Sequence, residues 1–152
     1  MNVVILENIR SAYNVGNIIR TADALGWQVR LTWYSPSPED TQKVVKTSLG
    51  AENTVGLKQF GHTVEAVEFA KEQKLLVVAA EITKDSISLE TMKKETYPWV
   101  AVIFWNEVDG VLESTLQLVD QVVHIPMQGI KESLNVGQTS AIFMRAFNQI
   151  YR

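Results

Sequence analysis

The sequence predicts an α/β fold, in which helices cover both faces of a mostly parallel sheet. Short apolar runs of strand length alternate along the chain with segments whose apolar residues recur at helical spacing. Two of the runs, residues 75–80 and 99–105, are apolar without interruption, as expected of strands buried on both faces of a parallel sheet. At 152 residues and 46% hydrophobic content, the chain has the size and composition of one domain with its own core.

The predicted elements begin in the order β-α-β-α-β-α-β-β-α and end with one more strand and one more helix. The first strand is predicted at residues 3–6, and the first helix is capped by Asn14 and ended by Gly26. The other strands are predicted at residues 28–34, 55–60, 75–80, 99–105 and 121–125. The other helices are predicted at residues 39–47, 63–73 and 135–151, with a short helix at 112–118 and, at 84–97, a loop with a possible short turn. No repeat or linker divides the chain, so we expect one domain over residues 1–152 with no extension.

Composition excludes several classes of function. The chain has no cysteine, which removes disulfides and thiolate metal sites, and its two histidines lie far apart in the sequence. A net charge of −3 argues against a protein built mainly to coat nucleic acid. No apolar run approaches the roughly 20 residues of a membrane-spanning helix, and the N-terminus does not look like a signal peptide. We therefore expect a cytoplasmic protein that needs neither a membrane nor a metal.

Three polar segments each follow a predicted strand, at residues 7–20, 106–110 and 126–135. Loops between a strand end and a helix start are where α/β proteins bind ligands, because backbone N–H groups are still unpaired there. In the first segment, Gly16 would let a ligand approach the backbone, and Arg10 and Arg20 could bind phosphate. Taken singly, each segment is explained better by a structural role than by a ligand. The first has an exposed helix arginine, the second is a solvated acidic turn, and the third has residues that cap the last helix.

Other signals of function are missing or favour the core. The sequence contains neither the glycine-rich dinucleotide fingerprint, the NTPase phosphate loop nor the serine nucleophile elbow. The aromatic residues mostly lie on apolar strands, so core packing is favoured over base stacking for Trp33, Tyr34, Trp99, Phe104 and Trp105.

Taken together, the three segments resemble the signature motifs of the SpoU-type branch of the SPOUT RNA ribose methyltransferases. The first motif corresponds to Asn8-Ile9-Arg10, Asn14-Val15-Gly16 and Ile19-Arg20-Thr21-Ala22-Asp23. The second corresponds to Asn106-Glu107-Val108-Asp109-Gly110, and the third to Ile125-Pro126-Met127 with Ser133-Leu134-Asn135-Val136. Lys46-Thr47-Ser48-Leu49-Gly50-Ala51 is similar to a further segment of such proteins. The resemblance covers nearly the whole chain, in the right order and spacing.

The resemblance implies a fold, a cofactor and an assembly. The C-terminal segment would thread a loop to form a deep trefoil knot, which sequence physics alone would not suggest. S-adenosyl-L-methionine would bind in the knot, largely through backbone groups of Ala80, Trp105, Gly110, Ile125, Met127 and Leu134. The protein would be a homodimer that pairs the first and last helices, with Ile18, Leu25, Ile142 and Phe143 as candidate interface residues.

The resemblance also implies methylation of a ribose 2′-hydroxyl in RNA. The matched catalytic positions are Arg20, Asn14, Glu107, Ser133 and Asn135. Arg10, Lys46 and Lys131 would contact RNA, with tRNA favoured over rRNA as the substrate, and no metal would be required. Two residues depart from the family pattern: Trp105 stands where glycine is usual, and Gly137 where serine is frequent.

Two other hypotheses remain open from the sequence. A knotted RNA-binding or assembly factor that has lost catalysis would explain the departures at Trp105 and Gly137. A small α/β ligand-binding protein with coincidental motifs would have an unknotted chain.

Overall fold

The fold, taken from a computed structural model that describes residues 1–106 and 108–151, is built on one parallel sheet. Within the described part of the chain the sheet has seven strands, in the order β3-β2-β1-β6-β4-β7-β5, and each neighbouring pair is parallel. The strands are β1 (Val3–Glu7), β2 (Gln28–Thr32), β3 (Leu57–Gln59), β4 (Leu75–Ala80), β5 (Ile87–Ser88), β6 (Trp99–Trp105) and β7 (Gln121–His124). The helices are α1 (Ala12–Leu25), α2 (Gln42–Ser48), α3 (Thr63–Glu72), α4 (Glu113–Leu116) and α5 (Val136–Ile150). The α/β class and the parallel sheet are confirmed.

Helices pack on both faces of the sheet, as predicted. Successive side chains of a strand point to opposite faces. In β1, Val4 and Leu6 belong to the core cluster that includes α1 and α5, whereas Val3 and Ile5 belong to the cluster that includes α3. Both faces of the central strands are therefore buried, which explains their uninterrupted apolar sequences.

Helix α1 begins earlier than the sequence pattern predicted. Ser11 is its N-cap, with the Ser11 hydroxyl accepting a hydrogen bond from the Asn14 backbone N–H at 3.3 Å. The prediction that Asn14 caps the helix is therefore wrong, and the Asn14 side chain is available for other contacts. Gly26 ends the helix with φ of +74°, as predicted.

Gly16 serves helix packing rather than ligand approach. It is buried in α1, and a Cβ there would collide with the Val44 carbonyl oxygen and the Thr47 hydroxyl of α2. The hydroxyl of Thr47 also donates to the Tyr13 carbonyl at 2.9 Å. The absence of a side chain at Gly16 thus allows α1 and α2 to lie in close contact.

The segment at residues 84–97, predicted as a loop with a possible short turn, also contains a strand. Strand β5 pairs with β7 in the register Ile87 to Val123, and it is followed by a 3₁₀ turn at Leu89–Thr91. Leu89 is buried in the core. A strand of two residues is too short to show an alternating apolar pattern in the sequence. Its position depends on pairing with its partner β7.

All strands end at the same edge of the sheet, because all run in one direction. At this carboxyl edge Glu7 of β1 lies in register with Trp105 of β6 and with Thr32 of β2. The segments that follow β1, β6 and β7 leave from this edge. None of the described helices is long and apolar enough to cross a membrane.

Candidate functional site

The structure brings the three polar segments together at the carboxyl edge. The Asn106 side-chain amide donates to the Asn8 carbonyl oxygen at 3.1 Å, and Arg10 forms an ion pair with Asp109 at 3.3 Å. These contacts join the first segment to the second. The Asn135 side-chain amide donates to the Asn14 side-chain oxygen at 3.5 Å, which joins the first segment to the third.

A cavity of about 140 Å³ lies at the ends of β4, β6 and β7, beside the loop that leads to α5. Its lining includes all six residues predicted to contact a cofactor: Ala80, Trp105, Gly110, Ile125, Met127 and Leu134. Ser133 also lines it. Phe104, Val123 and Phe143 give it apolar walls, while Glu81 and Glu132 add carboxylates. The cavity therefore suits a ligand with an apolar part and a cationic part.

Trp105 is accommodated at the cavity because successive side chains of β6 point to opposite faces of the sheet. Ile103 belongs to the core cluster with α3, and Phe104 to the cluster with α5. Because successive side chains of a strand alternate, the Trp105 side chain is directed to the face opposite to Phe104. Its indole nitrogen is buried and has no hydrogen-bond partner among the described residues. The tryptophan at position 105 therefore lines the cavity together with Phe104 without sharing the face of the sheet that carries Phe104.

Glu81 supports the cavity and was missed in the sequence. One of its carboxylate oxygens accepts from the Ile82 N–H at 2.8 Å and the other from the Val111 N–H at 3.0 Å. Gly110 has φ of +68°, and a Cβ there would lie 2.7 Å from the Glu81 carboxylate. Glu81 thus holds the turn after β6 against the end of β4. Its sequence signal was a carboxylate directly after an apolar strand.

The N-terminus of α5 is built around Asn135. Its side-chain oxygen accepts from the Gly137 N–H at 2.8 Å and caps the helix. A Cβ on Gly137 would lie 3.0 Å from this same oxygen. Glycine at position 137 therefore leaves space for the cap, and the Asn135 amide remains free to donate to Asn14.

The loop before α5 has unpaired backbone groups beside the cavity. Within the described ranges, no hydrogen bond involves residues 127–134. Ser133 and Lys131 are exposed in this loop, and neither side chain has a protein partner there. Such a loop presents N–H and C=O groups to a ligand or to water.

Several predicted residues lie outside the cavity. Arg20 is exposed on α1, does not line the cavity and has no polar partner in the part of the chain that the structure describes. Arg10 is exposed, although paired with Asp109, and Lys46 is exposed on α2. Glu107 lies outside the described residues.

Two sets of predictions about apolar residues need correction. Trp33 is 74% exposed, because β2 ends at Thr32 and not at Tyr34, and Tyr34 and Trp99 are also exposed. Their assignment to the core was therefore wrong. Among the candidate interface residues, Ile18 and Phe143 are buried within their own chain, whereas Ile142 is exposed.

A buried carboxyl group, Glu7, lies at the end of β1 below the converging segments. Its Oε1 accepts from the hydroxyls of Thr63 and Thr115, each at 2.8 Å, which ties the starts of α3 and α4 to the sheet. Burial raises the pKa of Glu7, and the two hydroxyl bonds oppose that rise. Its Oε2 is buried without a partner among the residues described.

The sequence profile of the SpoU rRNA methylase family matches residues 1–145. The chain belongs to the SpoU rRNA methylase family. A curated relative from Thermus thermophilus, named tRNA (guanosine(18)-2′-O)-methyltransferase, is 33% identical over 142 residues, which cover 93% of this chain and 71% of that protein. The protein of the same name from Escherichia coli is 29% identical over 142 residues, which cover 93% of this chain and 60% of that protein.

Solved structures of the SpoU family share the fold. The AdoMet-bound rRNA methyltransferase from Sinorhizobium meliloti superimposes with a TM-score of 0.88 at 23% identity. The match covers 97% of this SpoU chain and 56% of the S. meliloti chain. The chain thus spans little more than half the length of that protein, and 60% of the E. coli relative.

Proposed function

We propose that this SpoU family chain transfers a methyl group from S-adenosyl-L-methionine to a ribose 2′-hydroxyl of RNA. The observation that carries the proposal is the convergence of the three polar segments around one cavity at the carboxyl edge. The relatives named for guanosine 2′-O-methylation of tRNA support the reaction, and they favour tRNA over rRNA as the substrate.

The cavity residues fit the proposed cofactor. Phe104, Val123 and Phe143 offer apolar surface to an adenine ring, and the unpaired backbone of residues 127–134 offers hydrogen bonds. Glu81 and Glu132 complement the positive charge of a sulfonium or an ammonium group. We assign cofactor binding to the six predicted residues of the lining. The bound cofactor would supply a methyl carbon that is already activated by the positive charge on sulfur.

The protein has to orient the ribose hydroxyl and stabilise the charge that develops on its oxygen. Asn14 and Ser133 are proposed to orient the hydroxyl, and Asn135 to brace Asn14 through their contact at 3.5 Å. Glu107 is proposed to brace the second segment. Arg20 would hold the adjacent phosphate and stabilise the incipient alkoxide, because a guanidinium stays protonated and cannot act as a base.

A homodimer would bring Arg20 into the reaction. Arg20 does not line the cavity within one chain. Helices α1 and α5 both have exposed faces, and Ile142 on α5 is 40% exposed. We propose that these helices pair two chains, so that an exposed Arg20 lies beside a cavity of the assembly. Arg10, Lys46 and Lys131 would then contact the RNA backbone.

We further propose that residues 1–152 form one catalytic domain with a C-terminal trefoil knot. The contact between Asn135 and Asn14, and the position of the loop before α5 beside the ends of β4 and β6, support such threading.

The proposal is tested by the transfer of radiolabelled methyl groups from S-adenosyl-L-methionine to total tRNA and to rRNA. We expect 2′-O-methylated nucleotides with the wild type and a rate lower by roughly 100-fold or more with Arg20→Ala, the loss typical of a removed oxyanion donor. Lys93→Ala removes an exposed cation outside the three segments and should leave the rate unchanged. Absence of methyl transfer by the wild type to either RNA pool would refute the proposal.

The catalytically inactive RNA-binding factor loses its basis in the structure. It rested on the departures at Trp105 and Gly137. The Trp105 side chain is directed to the face opposite to Phe104. Gly137 leaves space for the Asn135 cap.

A further inference from the structure

Two adjacent aromatic side chains are exposed at the carboxyl edge and have no role in the mechanism above. Trp33 and Tyr34 follow β2 directly and are 74% and 42% exposed. Their ring centroids lie 4.9 Å apart with an interplanar angle of 72°. A tryptophan exposed to this extent contributes little to the stability of the fold, because burial of its apolar surface is lost.

The aromatic pair is fixed to the first polar segment by the residue that follows it. The Ser35 hydroxyl accepts from the Ile9 N–H at 2.9 Å and donates to the Leu6 carbonyl at 2.8 Å, and both bonds are buried. Ser37 is also buried, and its N–H donates to the Asp40 carboxylate at 2.8 Å. The loop that carries Trp33 and Tyr34 is therefore held in place beside Asn8 and Arg10.

The pair lies close to the cavity along the same edge. The strand order places β1 between β2 and β6, so the pair is two strands from β6, whose last residue Trp105 lines the cavity. Neighbouring strands are about 4.8 Å apart, which gives a separation of about 10 Å along the edge. Arg10 is exposed between them, with a side-chain exposure of 68%.

We propose that Trp33 and Tyr34 form a stacking platform for an unpaired nucleobase of the RNA next to the nucleotide whose ribose is methylated. This inference rests on the proposed function. An RNA strand with a ribose at the cavity would run its neighbouring nucleotide over Arg10 toward the platform, where any base can stack on an aromatic ring.

A second copy of the chain fits this pair less well than a base does. Each aromatic residue buries roughly 150–250 Å² at most, whereas a stable interface buries about 800 Å² per partner. Exposed charged residues lie close by in the chain, with Glu39 and Asp40 after the pair and Arg10 next to Ile9, which is bonded to Ser35. A small apolar surface among charged residues is suited to one or two bases.

The test compares tryptophan variants in their binding to RNA in the absence of cofactor. The ligands are unmodified total tRNA, a single-stranded RNA oligonucleotide and a duplex of the same sequence. Trp33→Ala should raise the Kd for tRNA and for the single strand by roughly fivefold to a hundredfold, while Trp33→Phe keeps most of the affinity. The duplex should show no change, because its bases are not free to stack.

The matched control is Trp99, which is 43% exposed at the first residue of β6 and hence at the opposite edge of the sheet. Trp99→Ala should leave every Kd unchanged. Equal affinity of wild type and Trp33→Ala for the single strand, or no tRNA binding by the wild type, would overturn the inference. So would a change in oligomeric state in Trp33→Ala without a change in RNA affinity, because it would assign the pair to a contact between chains.

Failure of the inference can be told apart from failure of the proposed function. If the wild type methylates tRNA and Trp33→Ala binds and methylates as well as wild type does, only the platform is wrong. If Trp33→Ala weakens binding to the single strand but the wild type transfers no methyl group, the pair still stacks on RNA bases, and the proposed function is wrong.

Discussion

At the scale of single residues, Glu7 makes stability depend on pH. Glu7 is 4% exposed, and burial raises the pKa of its carboxyl group above the ordinary value of 4.5. The folded state therefore retains the proton at a pH where the unfolded state has lost it. The contribution of Glu7 to stability is fully present below pH 4.5 and declines as the pH rises through the folded pKa.

Glu7→Gln should remove this decline. The amide oxygen can still accept from Thr63 and Thr115, but the side chain no longer titrates. Above pH 4.5, the free energy of unfolding of the wild type should fall relative to that of the variant, by at most about 1.4 kcal/mol per pH unit. Urea denaturation over a pH series measures the difference.

Thr115→Val provides the companion test, because it removes a hydrogen bond that lowers the pKa of Glu7. Measured against Glu7→Gln, the free energy of unfolding of Thr115→Val should go on falling to a higher pH than that of the wild type does. A difference between wild type and Glu7→Gln that does not change with pH would contradict the assignment.

At the scale of elements, the long apolar or periodic segments were predictable and the short ones were not. Strands β4 and β6 were predicted at their observed bounds, because both are apolar throughout. Strand β5 is two residues long and depends on β7 for its register, which a local pattern cannot reveal. The exposure of Trp33 was missed for a related reason: β-propensity extended β2 past Thr32, where the chain leaves the sheet.

Gly16→Ala tests the close contact of α1 and α2. The added methyl would meet the Val44 carbonyl of α2, which is backbone and cannot move aside. Overpacking of this kind costs up to about 3 kcal/mol, and the better helix propensity of alanine returns about 1 kcal/mol. We expect a net loss of about 2 kcal/mol in the free energy of unfolding by chemical denaturation.

Gly129→Ala is the control for this substitution, because a Cβ there meets nothing within 4 Å. Its effect should stay within about 0.5 kcal/mol. A Gly16→Ala variant as stable as wild type would show that the two helices are not in the contact described.

At the scale of the whole molecule, the sequence predicted which segments form the site but not how they are joined. The resemblance of the three segments to the SpoU-type motifs implied Asn14, Ser133 and Asn135 as site residues. The bonds from Asn106 to Asn8 and from Asn135 to Asn14 span 98 and 121 residues, and only the folded sheet brings their ends together. Glu81 was missed because no pattern distinguishes a bracing carboxylate from a solvated one.

The charge of the molecule predicts weak, salt-sensitive binding of RNA. With a net charge of −3, attraction depends on local cations, and the exposed candidates are Arg10, Arg20, Lys43, Lys46, Lys131 and Arg145. For six such contacts per chain, a plot of log affinity against log salt should be no steeper than about 5. Filter binding of tRNA between about 50 and 200 mM salt measures this slope.

Single cation variants check which residues contribute to that slope. Lys131→Ala should reduce it by about 1, and Lys93→Ala should not change it. Affinity that does not depend on salt would contradict RNA binding through these cations.

Calorimetry with S-adenosyl-L-methionine measures whether the cavity at the carboxyl edge binds the cationic methyl donor. Leu134 lines the cavity at 37% exposure, whereas Ile130 of the same loop is 99% exposed and does not line it. Leu134→Arg therefore places a positive charge in the cavity, and Ile130→Arg makes the same change of charge outside it. We predict saturable binding of S-adenosyl-L-methionine by the wild type and Ile130→Arg, and no measurable binding by Leu134→Arg. Absence of binding by the wild type, or equal binding by the two variants, would contradict the assignment of the donor to this cavity.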